Sequence, residues 1–148
     1  MMKMTMAEAQ ERGIWVSTHD KRVTKVNCGE DYVEFHFAGG FDVVKNGEAE
    51  STGAACVRFD GCTADDFDCF IMRKRPSPKG WRIKGRSAAL SQLGAMLKKE
   101  RSSVELYEEI ISQGGVYWHG ELYKPNRGLG KDVTIKLIGQ YSVTYSWE

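Results

Sequence analysis

The sequence predicts an α+β fold: a mostly antiparallel β-sheet of about six or seven strands, one or two helices over about 87–113 packed on one face, and a short N-terminal helix. Three observations carry this expectation. Apolar residues alternate with polar ones at Val33, Phe35 and Phe37, and every second position from Val133 to Trp147 is apolar or glycine. Leu90, Leu93 and Leu97 recur at the spacing of one helix face. Glycine, proline and asparagine cut the chain into short pieces, most clearly at Lys45-Asn46-Gly47, a strong hairpin signal. A chain of 148 residues suits one domain, 1–148.

Taken in order, Thr5 and Glu8 have the spacing of a capping box, so a helix is expected to start there and stop at Gly13. Strands follow over Ile14–Thr18, Arg22–Cys28, Val33–Phe37 and Phe41–Val44. Residues 48–55 are small and polar and read as an irregular or weakly paired segment. Val57 and Phe59 begin another strand, Gly61 to Asp66 form a loop, and Phe67–Arg75 and Gly80–Gly85 are two strands joined by a four-residue turn, Pro76 to Lys79. Ser87 is expected to cap a helix through Leu97. Ser102 and Glu105 repeat the capping-box spacing, with Val104, Tyr107 and Ile111 at helical intervals up to Gly114. Val116–Tyr123 is a strand. Beyond it, a hairpin at Gly139-Gln140 would mix polar and apolar residues on one face, so a single strand bent at Gly139 is expected.

Composition narrows the function classes. With 41% hydrophobic and 28% charged residues, a disordered chain or a fibre is excluded. No apolar run reaches the roughly 18 residues of a membrane span, and Met1 to Thr5 lack the apolar core of a signal peptide, so no membrane contact and a cytoplasmic home are expected. The net charge of +1 hides a polarity: residues 1–72 hold 7 basic and 13 acidic side chains, and residues 73–148 hold 14 and 7. Such a layout speaks about partners rather than fold.

The most informative stretch is 70–86. With the turn at Pro76 to Lys79, Lys74 faces Trp81 and Arg73 faces Arg82, so one face carries Phe70, Met72, Trp81 and Ile83 and the other Arg73, Arg75, Arg82 and Lys84, with Arg86 at its base. A five-residue turn would scramble that segregation. Trp81 is expected to point into the core. Bunched cations need a counterpart: the chain's own acidic cluster Asp60, Asp65, Asp66 and Asp68, a phosphate backbone, or an acidic protein surface. The candidate contact residues are therefore Arg73, Lys74, Arg75, Lys79, Trp81, Arg82, Lys84 and Arg86.

Other chemistry is weaker. The segment from Lys124 to Lys131 has the look of a phosphate loop, but Pro125 replaces its first glycine and Asp132 its Ser or Thr; Lys124, Arg127 and Lys131 remain a candidate anion loop. Cys56, Cys62 and Cys69 with His36 could form a zinc tetrad, yet their spacing is wider than zinc motifs use, and small core residues are the plainer reading. No metal and no cofactor is expected. No nucleophile context stands out, so no enzyme is expected. The sequence therefore points to a non-catalytic binding protein that makes stoichiometric contact with a protein partner through a polarised charged surface. Small mixed α+β proteins of phages and mobile elements, which often block a host nuclease or defence complex, offer a general analogy without any shared motif. The competing expectations are DNA or RNA binding through the 70–86 hairpin, and a zinc-containing or small-anion-binding domain.

Overall fold

The computed structural model describes residues 1–112, 114–125 and 130–148. Arg127 of the candidate anion loop lies outside them. In chain order the elements are β1 (Met2–Thr5), α1 (Met6–Glu11), β2 (Ile14–Ser17), β3 (Arg22–Val23), β4 (Lys25–Cys28), β5 (Tyr32–Phe37), β6 (Asp42–Lys45), β7 (Glu48–Ser51) and β8 (Ala55–Asp60). A 3-10 turn (Ala64–Asp66) then leads into β9 (Phe67–Ser77), β10 (Gly80–Ala88), α2 (Leu90–Glu100), β11 (Ser103–Ser112), β12 (Gly115–Tyr123), β13 (Lys131–Ile138) and β14 (Ser142–Trp147).

The antiparallel α+β character stands, but the single sheet of six or seven strands does not. The fourteen strands among the described residues form three sheets: five strands in the order β1-β14-β8-β5-β4, six in the order β10-β9-β13-β12-β11-β3, and three in the order β2-β6-β7. The two larger sheets enclose the core. Phe35 of β5 meets Trp118 of β12 at a ring separation of 4.8 Å and Phe67 of β9 at 5.5 Å, while Phe59 of β8 stacks edge-on to Phe67 at 5.8 Å. T-shaped contacts of this kind put ring edges on ring faces and add to the gain from burial. The helix α2 buries Leu90, Leu93 and Leu97 and lies along β4 at the edge of the five-stranded sheet.

Several local expectations hold for the reasons given. Thr5 Oγ1 accepts from the Glu8 N–H at 3.1 Å and Glu8 Oε2 accepts from the Thr5 N–H at 3.0 Å, so α1 opens with a full capping box. Asn46 and Gly47 both take positive φ, 53° and 77°, and join β6 to β7 as a two-residue turn. That pairing makes Glu48–Ser51 a strand rather than irregular chain.

Other expectations are corrected. Ser87 and Ala88 belong to β10, and the N-cap is Ala89, whose N–H donates to Gln92 Oε1 at 3.0 Å. The helix ends at Arg101, whose φ of 48° is left-handed, so Ser102 caps nothing: it is buried, and its hydroxyl donates to Met96 O at 3.3 Å. The second half of the expected helical region is β11. Its register slips between Leu106/Gly120 and Glu108/His119, leaving Tyr107 as an extra residue, and this bulge imitates helical spacing. Beyond it Glu109 faces inward, where Oε2 accepts from the Thr18 N–H (2.8 Å) and hydroxyl, Oε1 from the Ser17 hydroxyl (3.0 Å), while Trp118 Nε1 donates to Thr18 Oγ1 (3.2 Å).

The expected strand over 22–28 divides into β3 and β4, which join different sheets. The expected C-terminal strand is likewise two, β13 in the six-stranded sheet and β14 in the five-stranded one. The bend does fall at Gly139, whose φ of 146° is open to glycine alone and where an added Cβ would strike the Tyr141 ring. Val133, Ile135, Leu137, Val143 and Tyr145 stay buried across the corner because both sheets face one core.

Candidate functional site: a basic β-arm

The hairpin β9–β10 outgrows its sheet. The last β9 residue paired with β13 is Met72, opposite Asp132; from Arg73 to Ser77 the only strand partner among the described residues is β10. Those five residues at about 3.3 Å each give an arm of roughly 17 Å. Its turn is two residues, Pro78-Lys79, not the four expected: Ser77 faces Gly80, Arg75 faces Arg82 and Arg73 faces Lys84. The Ser77 hydroxyl donates to Gly80 O at 2.6 Å and fastens the tip.

This correction leaves the two faces intact. Taking Pro76 and Ser77 out of the turn and into β9 moves the pairing by two, and side-chain parity repeats every two residues. One face carries Arg73, Arg75, Arg82, Lys84 and Arg86; the other carries Phe70, Met72, Lys74, Pro76, Trp81 and Ile83. The orientation is the reverse of what an apolar face suggests. Cys69, Ile71 and Ala88 continue the cationic side into the core, whereas Trp81 is 64% exposed, Ile83 58% and Phe70 42%. Trp81 therefore does not enter the core. The apolar face continues the solvent face of the six-stranded sheet, where Asp68 and Lys136 are also exposed.

The five cations have no carboxylate within ion-pair distance among the described residues. Lys74, on the other face, reaches Asp132 Oδ2 at 3.5 Å, and Lys79 sits exposed in the turn. The acidic cluster does not answer them: Asp60 pairs with Arg58 Nε at 2.9 Å, Asp66 accepts from the Thr63 N–H at 2.7 Å, and Asp65 and Asp68 are exposed.

Lys131 of the candidate anion set meets the arm at its root. Lys131 follows β9's pairing by one residue beyond Asp132/Met72 and so falls beside Arg73 on the same face. Burial, then the charges of Lys124, Arg73 and Arg86, hold the Lys131 ammonium below the usual lysine range, with Glu100 offsetting part of this. Lys124 is itself held by Glu100, Nζ to Oε2 at 2.8 Å. Two stretches that lie far apart in the sequence are thus one cationic surface.

The cysteines do not gather with His36 into the zinc tetrad weighed as the lesser reading. Cys62 is buried and its thiol donates to Phe59 O at 3.6 Å; Cys69 is buried on the core side of β9; burial pushes both up to about 11. Cys56 and His36 are direct cross-strand partners, and the third group within 4.8 Å is Glu34, which no cysteine or histidine spacing brings to notice. Its place beside His36 gains meaning only from the strand register, which sets Cys56 opposite. Phe70 and Ile83, expected on the apolar face, are exposed, Phe70 on the outer face of the sheet opposite Thr134 and Ile83 on the arm. A surface cleft of about 540 Å³ between Thr5–Ala7 and Gln140–Val143 is lined, among the described residues, by no carboxylate, imidazole, thiol or amine.

No helix among the described residues is long and apolar enough to cross a membrane. No protein-family model, curated protein or solved structure matches this chain.

Proposed function

We propose that this is a non-catalytic binding protein whose β-arm docks by stoichiometric contact into a protein partner that offers acidic groups to one face of the ribbon and an apolar seat to the other. The observation that carries this reading is the two-sidedness of the arm: five cations with no carboxylate at ion-pair distance among the described residues on one face, exposed Trp81 and Ile83 on the reverse with Phe70 at its root. Aromatic and arginine side chains are the residues that dominate protein interfaces. A cationic face without charge partners accelerates association with an acidic surface and disfavours basic ones. Blocking a nuclease or defence complex, as phage and mobile-element proteins do, is a task that suits such an arm.

The second reading is DNA or RNA binding through the same basic face. It is favoured by the continuation of that face into Lys131 and Lys124, a track along which phosphates could lie.

The test is co-purification from host extract, with and without nuclease, using three forms: wild type, a quadruple charge reversal at Arg73, Arg75, Arg82 and Lys84, and Trp81→Ala. A protein partner requires both faces. Both variants lose it, Trp81→Ala by roughly 30-fold or more in affinity for a buried anchor, and nuclease has no effect. Material that vanishes with nuclease, binds with steep salt dependence and ignores Trp81→Ala selects the second reading. Retention by the charge-reversed form overturns both.

A further inference from the structure

We propose that Glu34, His36 and Cys56 form a binding site for a borderline-soft divalent cation, Zn²⁺ in particular, on the outer face of the five-stranded sheet. The site is independent of the arm. Glu34 and His36 are two residues apart on β5 and therefore point the same way; Cys56 on β8 stands directly opposite His36, and Arg58 opposite Glu34. His36 Nε2 lies 3.6 Å from Glu34 Oε1, Cys56 Sγ lies 3.9 Å from Glu34 Oε2, and Sγ lies 4.0 Å from Nε2. Around a tetrahedral zinc, with bonds of about 2.0–2.3 Å, neighbouring donors sit roughly 3.3–3.6 Å apart. One Glu34 oxygen has to serve both partners, and the three ligand atoms lie within 4.8 Å of one another, so side-chain movements of about an ångström close the triangle.

The surroundings fit the chemistry. Asn27 Nδ2 lies 3.2 Å from His36 Nε2. An amide N–H aimed there calls for a lone pair on Nε2, and a metal takes that one lone pair only by displacing the Asn27 donor. Arg58 pins the carboxylate from behind, Nη1 to Glu34 Oε2 at 3.6 Å, and is itself held by Asp60 and by the Tyr32 ring at 4.0 Å. Outer groups of this kind orient ligands and tune their affinity. The thiol of Cys56 is pushed up to about 12 by burial and by Glu34. A divalent cation reverses that balance: the Sγ–H bond breaks, the Sγ–metal bond forms, and one proton leaves to solvent. Carboxylate, thiolate and neutral imidazole then match the cation's charge. Three protein ligands on a half-buried sheet face leave the fourth position to water.

The experiment is titration of the chelator-treated full chain with Co²⁺, read by the thiolate-to-cobalt charge-transfer band, followed by displacement with Zn²⁺. The expected result is one equivalent bound, about one proton released per metal, loss of the band in Cys56→Ser, and retention in Cys28→Ser, whose thiol is exposed and outside the triangle. His36→Gln and Glu34→Gln, at half-exposed positions, should each weaken binding at least roughly tenfold. They keep the test decisive should Cys56→Ser fail to fold. No band at one equivalent in the wild type, a band that survives in folded Cys56→Ser, or undiminished affinity in both β5 variants overturns the site.

Discussion

Arg101 ends α2 in a left-handed conformation, φ 48° and ψ 38°, where a Cβ is unwelcome. Arg101→Gly should therefore raise stability by about 1 kcal/mol; chemical denaturation should show a higher midpoint with unchanged slope. The same residue explains why the sequence misleads here. Ser102 and Glu105 have the spacing of a cap, but a spacing does not reveal that the preceding residue has turned the chain out of helix. Thr18, Glu109 and Trp118 tell a similar story. Their hydrogen bonds tie the turn after β2 to β11 and β12, yet Glu109 looks like any surface glutamate until the bulge at Tyr107 turns it inward.

For elements, the arm shows what pattern alone resolves. Its two faces were legible because alternation survives any even shift in register, while the turn length was not, because a four-residue and a two-residue turn give the same faces. Exposure was illegible too: it depends on which face of the ribbon meets the second sheet, a fact about strands elsewhere in the chain. Directly opposed Arg75/Arg82 and Arg73/Lys84 repel. Arg82→Gln should accordingly stabilise the free protein by a few tenths of a kcal/mol at low ionic strength, and the gain should fade at about 1 M salt, where charges are screened within about 3 Å. Thermal melts at two salt concentrations check this. A variant that melts higher while losing its partner would separate the arm's role in recognition from any role in folding.

Across the whole molecule, the antiparallel α+β class, the N-terminal capping box, the Asn46-Gly47 turn and the bend at Gly139 were legible, each resting on local chemistry. The division into three sheets was not, since the odd-position pattern of 133–147 is the same whether the strand stays in one sheet or crosses to another around a shared core. One link between sheet and loop has a pH signature. The hydrogen bond from Lys21, Nζ to Asp42 Oδ1 at 3.0 Å, holds the Asp42 carboxyl below its ordinary value. A depressed carboxyl stabilises the fold above its unfolded pKa, about 3.9, and that contribution is lost as pH falls through the lower folded value. Lys21→Met should flatten the stability profile below about pH 4, as followed by denaturant midpoints across the acid range. The arm's unanswered face has a different consequence, for handling. With a sequence isoelectric point near 7.7, bulk charge predicts that a sulfonate resin at that pH would let the protein pass. A ribbon of five clustered cations adsorbs by its own local field instead, so the column should hold the molecule by one end, and the salt needed for elution becomes a bench readout of whether that end is intact.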